Sequence, residues 1–211
     1  MRAPVPVASW SWTLEGPEGT DGLTAGAPAV LKVSDILQAH DLLYLQKIEV
    51  DWFEFGIGNT GFRSTILHCQ DMTTEKLKEK TLESQPRSRP NSYPETLRII
   101  GPGNWITPEG KKRGEPELLV ASIDIATEDT QVEVSVYHDI WASNDFFGNP
   151  HHETYNANAP RLERALENIE KILGVEAEAG DPTYFGTSLR HGVESPRGGV
   201  SKSGLDVTDR L

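Results

Sequence analysis

The sequence predicts an α+β protein, an antiparallel sheet with one or two packed helices and a disordered C-terminal tail. Three observations predict it. Residues 119–125 and 131–141 alternate apolar and polar side chains, the period of a half-buried strand. Residues 160–173 place Leu162, Leu166, Ile169 and Leu173 on one side at helical spacing. The strands follow one another as hairpins and alternate, whereas a parallel sheet covered on both faces needs strands that are apolar throughout.

Taken in order, Ser9 to Leu14 reads as a strand carrying Trp10 and Trp12, and a turn cluster follows from Gly16 to Gly22. Ser34 suits the N-cap of a short helix reaching about Gln46. In residues 47–57, Ile48, Val50 and Trp52 share one phase while Phe53, Phe55 and Ile57 take the other, so a bulge is expected near Trp52-Phe53. Residues 62–69 form its partner strand. Thr73 to Tyr93 reads as a surface helix and then a loop broken by prolines.

The strand 119–125 turns at Thr127-Glu128-Asp129-Thr130 into the longest alternating run. There Val132, Val134, Val136, His138 and Ile140 face the core, and Glu133, Ser135, Tyr137, Asp139 and Trp141 face away. Pro160 fits the first turn of the last helix, and Gly174 is placed to stop it. A single domain is expected over residues 1–187, with a flexible tail over 188–211, where Gly, Ser and charge predominate.

The chain of 211 residues has a formal charge of −12, spread along its length with only residues 61–100 net basic. Such a field repels nucleic acid and anionic membranes and attracts basic partners. One cysteine, Cys69, rules out an intrachain disulfide and disfavours a thiolate zinc site. No segment has the roughly 20 apolar residues of a membrane span. Met1 to Trp10 lacks the apolar core of a secretory signal, so a cytoplasmic location is expected.

Gly56-Ile57-Gly58-Asn59-Thr60-Gly61 has the spacing of a dinucleotide-binding loop. That chemistry needs a helix next, to hold the pyrophosphate at its N-terminus. Strand-forming residues follow instead, so the glycines are read as a hairpin and no cofactor is expected. There is neither a Gly-x-Ser-x-Gly elbow nor a phosphate loop.

The segment from Tyr137 to Tyr155 is densest in residues that carry chemistry. Tyr137, Asp139 and Trp141, with Phe146 and Phe147 in the following loop, form a candidate surface for a protein partner. Asp145, His151 and His152 are the candidate metal ligands if the loop draws them together. The leading expectation is a non-enzymatic acidic binding protein, such as an inhibitor or immunity-type protein, for a basic protein partner. The alternatives are a metal-dependent or acid-base hydrolase with its site around Asp139–Glu153, and an accessory subunit of a larger assembly.

Overall fold

The structure, a computed structural model, describes residues 1–15, 21–125, 129–197 and 204–211. Seven strands build one antiparallel sheet in the order β3-β2-β4-β7-β8-β1-β9. These are β1 (Ala8–Leu14), β2 (Lys47–Glu54), β3 (Gly58–Leu67), β4 (Tyr93–Ile100), β7 (Leu119–Asp124), β8 (Thr130–Val136) and β9 (Glu178–Ala179). A separate hairpin joins β5 (Gly103–Ile106) to β6 (Lys112–Glu115), and a small one joins β10 (Thr187–Ser188) to β11 (Val193–Glu194).

Pairing register sorts the side chains onto two faces. One row runs Ile66, Ile48, Ile99, Ala121, Val134, Trp10 across six neighbouring strands, and the next runs Ser64, Val50, Leu97, Ile123, Val132, Trp12. Apart from Ser64 these residues are buried, and they form the floor of one contiguous core. Each large aliphatic side chain so buried contributes about 1.5–3 kcal/mol, offset by the entropy of ordering the chain.

All three helices lie on that face. The first, α1 (Gly22–Ala39), crosses β4, β7 and β8, with α2 (Thr74–Glu83) and α3 (His152–Leu173) flanking it. α1 begins at Gly22, well before the helix expected from Ser34, because Gly22, Gly26 and Pro28 are poor helix formers that hide its first turns. Packing explains those glycines: a Cβ at Gly22 would stand 2.0 Å from the Ile125 carbonyl oxygen, and one at Gly26 would stand 2.3 Å from the Ile125 side chain. Asp21 caps this helix through Thr24 N, whereas Ser34 sits inside it and bonds Val30 O.

α3 also starts earlier than expected, at His152, with Pro160 inside it. Asn158, which read as a residue before the helix, is fully buried within it. Its side chain bonds both the amide and the carbonyl of Ile106, tying α3 to the β5–β6 hairpin. Gly174 ends α3 in the left-handed conformation, as its position predicts.

β4, at the centre of the β2 side, was hidden in sequence by Pro94, Glu95 and Arg98. The irregularity expected near Trp52-Phe53 is present, but the extra residues belong to the neighbours. Asp51 and Trp52 pair with Thr96 and Pro94, which leaves Glu95 over, and Asp51 and Phe53 pair with Arg63 and Asn59. β2 itself therefore alternates without a break.

The C-terminal stretch expected to be flexible packs against the body along its described residues. Trp10 Nε1 donates to Leu189 O at 2.7 Å, Ser9 N to Ser188 Oγ at 3.1 Å, and Val207 N to Phe146 O at 2.9 Å. His191 Nε2 lies 3.0 Å from Glu170 Oε1 on α3, and Val193 and Val207 are buried. A few well-spaced apolar anchors and hydrogen bonds to β1 suffice to dock a segment of low average hydropathy. Residues 198–203, most of the turn expected at 16–22, and Thr127-Glu128 lie outside the described residues. Among the described residues no helix is long and apolar enough to cross a membrane.

Candidate binding surface

The second face of the sheet carries no helix among the described residues. Its central row runs Thr65, Glu49, Arg98, Ser122, Glu133, Ser11, Glu178 across all seven strands, and a second row runs Arg63, Asp51, Thr96, Asp124, Gln131, Thr13. Every residue in the two rows is polar, and five carboxylates stand against two guanidinium groups.

At the β3–β2–β4 end the charges interlock. Arg63 Nε donates to Asp51 Oδ1 at 2.7 Å, and Arg98 Nε lies 3.2 Å from Asp51 Oδ2. Arg63 also reaches Glu49 at 3.4 Å, and Lys47 donates to Glu49 at 2.6 Å. Asp51 is buried beneath the two arginines, while Arg63 and Arg98 keep over two fifths of their side chains in solvent. The hydrogen bonds that Arg63 donates to Asp51 raise its pKa, and burial opposes them. Rigid opposite charges on an open sheet face hold a fixed pattern for a partner to read, though exposed pairs add little to stability.

Next to this network stands an aromatic trio. Because β2 alternates without a break, Phe53 follows Asp51 onto the helix-free face, and Phe55 continues the phase into the turn. Ring centroids lie 5.9 Å apart for Phe53–Phe55, 5.3 Å for Phe53–Tyr93 and 5.2 Å for Phe55–Tyr93. Gly56 and Gly58 have φ of 79° and 90°, which lets the chain reverse within this short tip. The tip thrusts apolar side chains into water: Phe55 is 83% exposed, Ile57 53% and Phe62 42%. Exposed apolar side chains on a protein otherwise able to bury four tryptophans make this tip a candidate surface for a partner.

The surface expected around Tyr137 is dispersed by the fold. The extended chain continues to His138, which bridges Arg2, and then a 3-10 turn from Asp139 to Trp141 replaces the period of two. Tyr137 keeps the outward direction, half-buried, with the Arg2 guanidinium 5.1 Å from its ring centroid. Burial raises its pKa, with the Glu133 carboxylate acting in the same direction. Asp139 is buried and accepts the Phe146 N–H at 3.3 Å. Trp141 is fully buried beside α3, and Phe146 is buried against Phe185 at 5.5 Å. Phe147 alone of the loop pair remains exposed.

Nor does the loop gather the candidate ligands. Asp145 accepts the Asn149 N–H at 2.8 Å, closing a turn, and His151 Nε2 contacts Ala142 O at 2.7 Å. His152 is exposed at the start of α3. Among the described residues no group of three His, Cys, Asp or Glu side chains is placed to hold a metal ion. Phe53, Phe55 and Tyr93 were not singled out in sequence as a candidate surface, although the out-of-phase Phe53 and Phe55 were a visible signal. A sheet with two differently used faces accounts for that phase without any shift in β2.

Comparison of the chain with family models, with curated proteins and with solved structures finds no match.

Proposed function

We propose that this chain is a non-enzymatic binding protein, of inhibitor or immunity type, that holds a basic protein partner on its helix-free sheet face. Phe53, Phe55 and Tyr93 are the anchors, and carboxylates farther along the same face, Glu133 and Glu178, recognise lysine and arginine side chains. The trio, with Phe55 exposed on half-buried Phe53 and Tyr93, is the observation that carries this reading.

Two physical terms divide the work. Covering a Phe-sized side chain is worth about 1.5–3 kcal/mol, so the trio supplies affinity. The charge of −12 supplies long-range attraction, which raises the association rate and fades as salt screens it. A partner arginine stacked on these rings would add a cation–π contact. A cytoplasmic setting suits the role, since a chain with one cysteine gains nothing from an oxidising compartment.

The test is retention of a basic protein by the immobilised chain from a lysate of the cells that make it, followed by elution with rising salt. Phe55→Ser and Tyr93→Ser should each weaken the complex by about 2 kcal/mol, some thirtyfold. Retention of only acidic proteins, or of a basic one indifferent to both substitutions, would overturn the assignment.

A further inference from the structure

On the helix side, where the start of α1, α2 and the first residues of β4 meet, lies a cavity of about 540 Å³. That volume falls in the range of sites for small organic molecules. Leu23, Leu82, Tyr93, Pro94 and Ile125 make most of its wall, and Lys78 enters from α2. Leu82 is 59% exposed, an apolar wall that no described part of the chain covers.

The polar end is asymmetric. Lys78 Nζ donates to Thr24 Oγ1 at 2.6 Å, and no carboxylate among the described residues lies within ion-pair distance of it. Its other N–H groups are free to meet a ligand. Asp21, also on the rim, is committed: Oδ1 accepts Thr24 N at 2.9 Å, and Oδ2 accepts Thr24 Oγ1 at 2.6 Å. The site thus offers unused N–H donors on Lys78, while the Asp21 oxygens are occupied with capping α1; the Thr24 hydrogen bond lowers the pKa of Asp21, and the Lys78 charge adds to it.

We infer that this cavity binds a small apolar carboxylic acid, its hydrocarbon body against Leu23, Leu82 and Tyr93 and its carboxylate on Lys78. The cavity shares Tyr93 with the proposed partner surface, while Leu23, Leu82 and Lys78 belong to the cavity alone. The ligand class follows from the chemistry of the wall: aromatic or branched hydrocarbon suits the apolar sides, and one carboxylate suits one ammonium.

Calorimetric titration of the whole protein with three probes of one shape tests this: naphthalene carboxylate, naphthalene methanol and naphthalene methylamine. The carboxylate should bind at least about tenfold tighter than the alcohol, the worth of one charge-assisted hydrogen bond, and the amine should bind weakest. Lys78→Met should remove that preference while keeping alcohol binding. Leu82→Asp, at an exposed position that tolerates it, should weaken all three and the carboxylate most. Ile57→Ser, at the exposed hairpin tip and outside the cavity wall, should change none of them, which separates this site from the tip of the partner surface. The inference is overturned if the amine or the alcohol binds as tightly as the carboxylate. It is equally overturned if naphthalene carboxylate fails to bind, or binds Lys78→Met and Leu82→Asp as it binds the unaltered chain.

Discussion

Two regions of this molecule exchange the roles that their sequences suggest. Residues 137–153 hold aromatics, carboxylates and histidines in density, and the fold buries Asp139, Trp141 and Phe146 among them. Residues 51–62 read as a plain hairpin, and the fold leaves Phe55, Ile57 and Phe62 in water. The difference lies in what covers each. α3 and the docked C-terminal stretch close over the first region, while nothing described lies over the second. Residue types suited to binding become a binding surface only where the layers leave them uncovered.

The contrast breaks most directly if its cover is removed. A chain ending at Thr187 loses buried Val193 and Val207 and uncovers Phe146. At about 1.5–3 kcal/mol for each valine, the loss should reach about 3–6 kcal/mol in urea unfolding. An unchanged midpoint would mean that the C-terminal stretch covers nothing of consequence.

Trp141→Ala probes the same region from within. Trp141 is fully buried in the 3-10 turn against α3, so truncation should cost about 3–5 kcal/mol. A variant of unaltered stability would return Trp141 to the surface and erase the contrast.

A smaller effect should appear in the pH dependence of stability. Burial lowers the pKa of His138 from its ordinary 6.5, and the Glu115 carboxylate opposes that only in part. Below 6.5 the unfolded chain therefore binds protons that the folded protein does not. This contribution is complete above that pH and is lost as pH falls towards the depressed value, by at most about 1.4 kcal/mol per pH unit. His40, lowered by burial and by Arg164 and Arg161, adds in the same direction. Urea titrations at falling pH should show a shallower loss for His138→Gln than for the unaltered chain, and equal slopes would place His138 in water.

The β7–β8 pair, the hairpin at Gly56–Gly61 and the end of α3 at Gly174 were all legible, because each rests on a local rule of period or backbone angle. The start of α1 was not, since Gly22 and Gly26 answer to the close approach of Ile123 and Ile125 rather than to helix propensity. β4 was missed because its polar residues serve the open face: Arg98 pairs with Asp51 on the neighbouring strand. The site was legible only in fragments. Alternation shows that Tyr137 shares a face with Glu133, or Phe53 with Asp51, but which face a helix will cover depends on elements far away in sequence.

The central claim, that the helix-free face carries the partner, is tested most directly by two exposed apolar residues on opposite sides of the molecule. Phe55 stands on the sheet face and Ile172, 48% exposed, on the outer side of α3. Melting and partner retention are measured on the same samples of Phe55→Ser and Ile172→Ser. Both should keep their stability within about 0.5 kcal/mol, as surface substitutions do. Phe55→Ser should lose the basic partner by about thirtyfold while Ile172→Ser retains it in full. Loss of the partner with Ile172→Ser and its retention with Phe55→Ser would contradict the claim and move the interface to the helices.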